Sequence, residues 1–486
     1  MKSDATKLTQ RVRARLGSHQ RGQVLPLGLV FLAICCVSLL FMFSSGKAVD
    51  EKLTVVNAAD AAAYSAGIAQ ARALNYEAYV NRAIIANELA IAQSMSMVSW
   101  MRYFQATVRN VWGLDELVGE HLIVGGIPIV AAITGTAYLD WWTGGQGLDE
   151  IVEIVEYVNA LGVMNLHAGA VIALRASQLA TDLAFSTGLL QQNLAQEVAR
   201  RSDASLDVEI VPASRVDLAG FTRTYGRKSS SGDERGRLAD SVLRSRDAFT
   251  ASRGFTHQSP SPISAGGKLQ KNVQLRKRGG TDLVNFDEWQ AVDTLAVHRT
   301  MWGCGRIFKR WCSPEEVSIS GAARSETALS PSSSGGYGSY GRSTEENPDT
   351  TSNALGYNQD LREVGAVLWL GLSDNQDLAD LDTRRDPRVG LSFFVSKPEN
   401  TSRIAGRNPN VRPTGQLQVF DAAAPGNVVA SLARAEVFFF RPDARPDGRR
   451  ELPSLYSPYW QARLVAPTTA DRIYAAERQN GLALGL

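Results

Sequence analysis

Of the 18 prolines in this 486-residue chain, only Pro26 and Pro128 precede residue 212. Proline removes a backbone donor and clashes with the preceding helical turn. The proline-free runs 27–127 and 129–211 are therefore permissive for long helices, whereas the other sixteen prolines fall where turns and short strands are expected. The chain divides into a helical front and a sheet-bearing back. Its length allows about two or three domains.

Val24–Phe43 (VLPLGLVFLAICCVSLLFMF) is twenty positions without a charge. At ~1.5 Å rise per residue it reaches ~30 Å, the thickness of a hydrocarbon core. Lys2, Lys7, Arg11, Arg13, Arg15 and Arg21 precede it, against Asp4 alone, and mixed charges follow it. The positive-inside rule then places the N-terminus in the cytoplasm and the bulk of the chain outside it. The run exceeds the ~7–15 apolar residues of a signal peptide, so an uncleaved anchor is expected. Cys35 and Cys36 sit mid-span and read as small apolar residues. A second apolar stretch, Leu122–Leu139, carries glycines and Pro128 and is followed by acidic residues. It reads as a buried or interfacial connector rather than a second span.

From Lys47 to about Asn110 the pattern is one long helix. Val49, Leu53, Val56, Asp60, Ala63 and Gly67 share a face, and nine of the 17 residues Asn57–Ala73 are Ala. Asp60, with Asn57, reads as a contact for a helical partner or as a polar residue solvated or bonded within its own hairpin. Asn81, Arg82, Asn87 and Glu88 are expected to bridge one another at spacings near three and four. A second helix is expected from Asp149 to Arg200, with the apolar stripe Ile151, Ile154, Val155, Val158, Leu161, Asn165, Gly169, Ile172, Ala176, Leu179 and Leu183. Acidic residues in its first turn and Arg200–Arg201 in its last complement the helix dipole. Two such helices suggest an antiparallel hairpin.

After Leu206 the expected strands are Leu206–Val211, Asn272–Leu275, Val284–Phe286, Ala366–Leu372, Leu391–Val395, Gln416–Phe420, Glu436–Phe440 and Trp460–Val465. Helices are expected at Glu234–Ser252 and Thr468–Asn480, and a loop at Ser330–Ser343. The fold class is α+β: a single transmembrane helix continuing into a long helical hairpin, then a mixed domain with a mainly antiparallel sheet. The expected organisation is a basic tail at 1–23, an anchor at 24–45, a helical stalk at 46–205 and an extracytoplasmic domain at 206–486.

Chemistry is sparse. Lys+Arg of 51 against Asp+Glu of 49 gives no basic field for nonspecific nucleic-acid binding. Five histidines and four cysteines exclude a zinc-finger array. No Walker A loop, zinc-protease motif, EF-hand calcium loop or nucleophile elbow occurs. Ser44-Ser45-Gly46-Lys47 fits a Ser-x-x-Lys pattern only by chance, at the membrane boundary. Asp374, Asp377, Asp380 and Asp382 read as a solvated turn. Lys268, Lys271, Arg276, Lys277 and Arg278 read as a solvated strand face. Cys304 and Cys312 are a candidate disulfide if their region is extracytoplasmic. No cofactor or metal is expected.

Gly22-Gln23, the apolar anchor and Asn57-Ala58-Ala59-Asp60-Ala61-Ala62-Ala63 in this order resemble the N-terminal module of TadG-like and TadE-like proteins. The stretch from Asn75 through Asn87-Glu88 to Trp100, and the late Pro458-Tyr459-Trp460-Gln461-Ala462-Arg463-Leu464, look similar to longer TadG-related members. The resemblance implies a bacterial inner-membrane, non-enzymatic component of a Tad (Flp) type pilus. Its partners would be other Tad assembly membrane proteins and pilin-like subunits. Leu27 stands where pilin-like members carry a Glu after the cleaved Gly, and the metal motif of a von Willebrand type A domain is missing. Neither prepilin processing nor metal-dependent adhesion is therefore implied. The competing expectations are a membrane-anchored extracytoplasmic hydrolase and a surface-binding adhesin module.

Overall fold

The computed structural model describes residues 24–110, 146–224, 232–259, 262–265, 267–327, 343–361, 368–373, 387–398 and 428–480. The tail 1–23, the stretch 122–139, most of the tract 330–343, the acidic cluster 374–382 and the strand expected at 416–420 lie outside these residues.

Helix α1 (Val24–Arg109) runs unbroken for 86 residues, on the order of 130 Å. Pro26 sits in its first turn, where the missing donor costs nothing. From Leu25 to Phe43 its large apolar side chains are all exposed. Beyond residue 50 one face becomes buried. By length and composition two helical stretches could cross a membrane: α1, through this exposed segment, and Gln146–Ser186, which is partly buried.

The second stretch comprises α2 (Gln146–Tyr157), a π-helical segment (Val158–Met164) and α3 (Asn165–Ser186). Gly188, at φ 74°, turns the chain into α4 (Leu189–Ser202). These helices run antiparallel to α1. Asp149 meets Arg109, Glu156 meets Arg102, Asn159 meets Ser94, His167 meets Asn87, Gln178 meets Asn81 and Gln191 meets Gln70.

Then follow β1 (Asp207–Ile210), α5 (Pro212–Thr224), α6 (Gly232–Arg244), α7 (Ala248–Ala251), β2 (Phe255–Gln258) and β3 (Ile263–Ala265). Next come β4 (Lys268–Asn285), β5 (Glu288–Cys304), β6 (Arg310–Trp311) and β7 (Glu315–Thr327). The chain continues with α8 (Ser343–Glu346), α9 (Pro348–Gly356), β8 (Gln359–Asp360), β9 (Val389–Pro398), β10 (Val428–Phe439), β11 (Trp460–Val465) and α10 (Thr469–Asn480). One sheet has the order β1-β9-β10-β11 and is antiparallel throughout. The other has the order β2-β4-β5-β7-β8, with β3 on β4 and β6 on β5; its β7–β8 pair is parallel.

Both sheets pack on α1. Val55, Ala58, Ala62 and Ala66 share a core with Ile210, Phe393, Ala435 and Trp460 of the first sheet. Further along, Ile91, Met95 and Val98 bury against Leu283, Phe286 and Trp289, and Tyr103 against Leu275, Leu295 and Val297. Burying each large side chain stabilises by roughly 1.5–3 kcal/mol. The expected stalk is instead the spine of the domain from about residue 51 onward, and the boundary at 206 cuts through these cores. The reason is the Ala-rich stretch: a helix surface without long side chains lets its backbone lie close on a sheet. A Cβ at Gly67 would stand 2.9 Å from the Ala435 Cβ and 3.2 Å from the Ala462 Cβ.

The strands expected at Asn272–Leu275 and Val284–Phe286 differ from what is found. The first is part of the 18-residue β4, and the second straddles the β4–β5 turn. Charges interrupt the alternation in β4 and β5, because Asp293 on β5 is buried in an ion pair. A Cβ at Gly279 would stand 2.1 Å from the Asp293 Oδ1, so β4 carries glycine there. At 368–372 the chain is irregular rather than a strand.

Candidate functional site

The seam between α1 and the second helical stretch is polar inside. Tyr76 Oη donates to Ser177 Oγ at 2.8 Å, Gln178 Nε2 to Asn81 Oδ1 at 2.8 Å, and Gln191 Nε2 to Gln70 Oε1 at 2.6 Å. Asn87 Oδ1 lies 2.7 Å from His167 Nδ1. Ser94 Oγ donates to Asn159 Oδ1 at 2.7 Å. Glu156, 2 % exposed, bridges Arg102 and Arg324. Buried amides and ion pairs of this kind hold register more than they add stability.

Much of the apolar stripe read from sequence turns outward, although Val155, Leu161, Asn165 and Gly169 within it are half-buried. Ile151, Ile154, Val158, Ile172, Leu179 and Leu183 are all exposed, Leu183 at 65 %. The residues turned inward are Val152, Glu156, Ala160, Met164, Ala168, Val171 and Gln178. Between Glu156 and Arg175 the sequence has no Asp, Glu, Lys or Arg, so the middle of the outer face is uncharged as well as apolar, while exposed Glu150 and Glu153 flank Ile151 and Ile154.

The α1 cluster Asn81, Arg82, Asn87 and Glu88 does not bridge itself on the helix surface. Asn81 Nδ2 donates to Leu455 O at 2.8 Å and Arg82 Nε to Tyr456 O at 2.6 Å. Trp369 Nε1 donates to the fully buried Glu88 Oε2 at 3.0 Å. Asn75 forms a two-way amide bridge with the backbone of Trp460: Nδ2 to Trp460 O and Trp460 N to Oδ1, both 2.9 Å. The helix segment from Asn75 and the late segment around Trp460 are thus one seam. Spacing along the chain could not reveal this, since 385 positions separate the partners.

Asn57 is exposed and Asp60 half-buried. No hydrogen bond or ion pair joins either to another described residue. One turn further, α1, α3 and α4 enclose an open groove of about 640 Å³. Ser65, Ile68, Arg72, Tyr76, Phe185 and Leu194 are among its lining residues, which include no carboxylate or imidazole. It suits apolar side chains rather than proton transfer. Among the described residues no group of three or more His, Cys, Asp or Glu could hold a metal ion.

The electrostatic centre of the second sheet was missed from sequence. Asp293 is fully buried and accepts from Arg253 Nη2 at 2.8 Å, Lys277 Nζ at 2.5 Å and Ser99 Oγ of α1 at 2.7 Å. Burial pushes its carboxyl up, but Lys277 and Arg253 outweigh that and hold it below the usual range. The basic patch is therefore solvated only in part: Lys268 is exposed, but the Lys277 end is not. Lys277 is buried in this pair, and Arg278 pairs with Glu346. Near the N-terminal end of the spine, Lys397 joins Glu51 of α1 at 3.2 Å and Asp203 at the end of α4 at 2.8 Å. The Lys397 bond holds the Asp203 carboxyl well below the usual range. Cys304 and Cys312 form a disulfide, with Cα atoms 5.1 Å apart. No protein-family model, curated protein or solved structure matches this chain.

Proposed function

We propose that this protein is a membrane-anchored, non-enzymatic scaffold of a Tad (Flp) type pilus-assembly system. The charge-free span Val24–Phe43 fixes it in the bacterial inner membrane, the basic tail stays in the cytoplasm, and the sheets lie in the periplasm. The carrying observation is the inverted helix pair, with its hydrogen-bonding groups turned inward and Ile154, Ile172, Leu179 and Leu183 turned outward. Soluble monomers rarely expose a contiguous apolar patch beyond a few hundred Å². This face stands over the part of α1 from about Tyr76 to Arg109, roughly 50 Å or more from Phe43. Lipid around the anchor does not reach that height, so a protein covers the face. The groove beside Tyr76 continues this apolar side toward the membrane. An apolar helix of a pilin-like or assembly subunit fits both.

Deleting the gene should abolish surface pili while pilin remains in the membrane. Restoring the gene as Ile172→Asp/Leu179→Asp should leave protein level unchanged and pili absent. Normal piliation in either strain refutes the proposal.

A further inference from the structure

The end of the second sheet carries a second exposed surface of different chemistry. The disulfide Cys304–Cys312 closes a nine-residue tip between β5 and β6. Gly303 and Gly305, at φ 128° and 120°, allow the reversal, and Cys312 N bonds Met301 O at 2.8 Å. The tip presents Ile307 at 88 % and Phe308 at 84 % exposure. Trp302 and Trp311 meet edge-on at its base, ring centres 5.1 Å apart, and Lys271 lies 4.4 Å over the Trp311 ring. Leu269, also exposed, crowns the adjoining β3–β4 turn. Residues 262–272 and 300–314 hold Lys268, Lys271, Arg306, Lys309 and Arg310 and no Asp or Glu; the next carboxylates, Glu315 and Glu316, are engaged by Arg299 and Thr350.

An apolar apex, tryptophans beneath it and a cationic collar form the chemistry of an interfacial membrane anchor. The apex enters the acyl boundary, the indoles sit at headgroup level and the cations meet lipid phosphates. A protein pocket would need some acceptor to orient, and would seldom demand five cations without one carboxylate among them. The disulfide prepays the ordering of the tip. Its position decides which bilayer it meets. Ser99 of α1 bonds Asp293 on β5, and β5 runs on past Val297, which packs beside Tyr103, toward the tip. Phe43 to Ser99 is already ~80 Å of helix. We propose that this disulfide-closed tip docks on the anionic lipid surface of a second membrane, opposite the one α1 enters. The lipid contact does not depend on the pilus reading.

The test uses the full chain with its apolar span sealed in nanodiscs of phosphatidylcholine, mixed with labelled vesicles and floated on a density gradient. Vesicles of three parts phosphatidylcholine to one part phosphatidylglycerol should carry the protein upward, at least ~10-fold more than pure phosphatidylcholine, and less in high salt. Ile307→Ser/Phe308→Ser, and separately Arg306→Glu/Lys309→Glu, should each reduce flotation about 10-fold, a loss of ~1.4 kcal/mol. Both pairs are solvent-exposed, so their melting temperatures should match that of the parent. Equal flotation with both vesicle types, or no loss in either variant, overturns the proposal. So does a photo-crosslinker at position 308 that captures a protein instead of lipid in cells.

Discussion

Gly67→Ala sets two known effects against each other. In an exposed helix the change stabilises by up to ~1 kcal/mol, because Ala has the better propensity. At residue 67 the new Cβ would stand 2.9 Å from the Ala435 Cβ and 3.2 Å from the Ala462 Cβ. Neither neighbour has a flexible side chain that could swing away, so helix and sheet must part by several tenths of an ångström. Overpacking of this kind costs ~1–3 kcal/mol. The net expectation is a destabilisation of ~0–2 kcal/mol. Gly169→Ala on α3 is the control: nothing lies within 4 Å of its Cβ, so it should stabilise by up to ~1 kcal/mol. A domain of 150–250 residues shifts by ~2–4 °C per kcal/mol and a larger one by less, so the variants should separate by about 1–3 °C in opposite directions. The assay is thermal unfolding of the full chain in detergent, followed by far-ultraviolet circular dichroism. If Gly67→Ala rises in Tm as Gly169→Ala does, α1 does not press on the β10–β11 ladder. The separate stalk expected from sequence would then be the better description.

Asp293→Asn should cost about 3–5 kcal/mol, because Arg253 and Lys277 would remain buried with their shared carboxylate gone. A urea midpoint unchanged from the parent would show that the cluster is dispensable, and adding Lys277→Met should recover part of the loss. Acid should also destabilise. Burial raises the Asp247 carboxyl, but bonds from Gln93, Thr250 and the Phe249 backbone bring it down to about 2, and Asp203 and Asp293 are also held low. An unfolded Asp titrates near ~3.9, so these groups stabilise the fold above that pH and lose their contribution as pH falls through their folded values. Urea midpoints should therefore drop steadily between about pH 5 and pH 2; a flat or rising series contradicts the assignment.

The sequence was most informative where local pattern and tertiary role agree. Trp460–Val465 forms a strand over the expected residues, and Thr469–Asn480 a helix one residue short of expectation. The absence of proline from 27 to 127 permitted α1, and its end at Arg109 falls next to the Asn110 expected from the pattern. Periodicity misled where the interior is polar. On the second helical stretch the apolar stripe Ile151 to Leu183 looked like the inner face, yet Gln178, Asn159 and Glu156 are the residues that find partners on α1. A helical pattern reveals two unlike faces, not which of them meets the rest of the chain. Likewise Ala58, Ala62 and Ala66 gave helix propensity but no hint of the sheet that covers them. The buried Asp293 broke the alternation that would have marked β5, because its partners Arg253 and Lys277 come from other elements.

The inside-out helix pair is tested most directly by photo-crosslinking in living cells. A photoreactive amino acid would be placed singly at Ile154, Ile172, Leu179 and Leu183, and at Val152 and Val171 as inward controls. The account expects adducts to another envelope protein from the four outward positions, and from the controls only links within the chain. Silence at the outer positions, or partner adducts from Val152 and Val171, would contradict it.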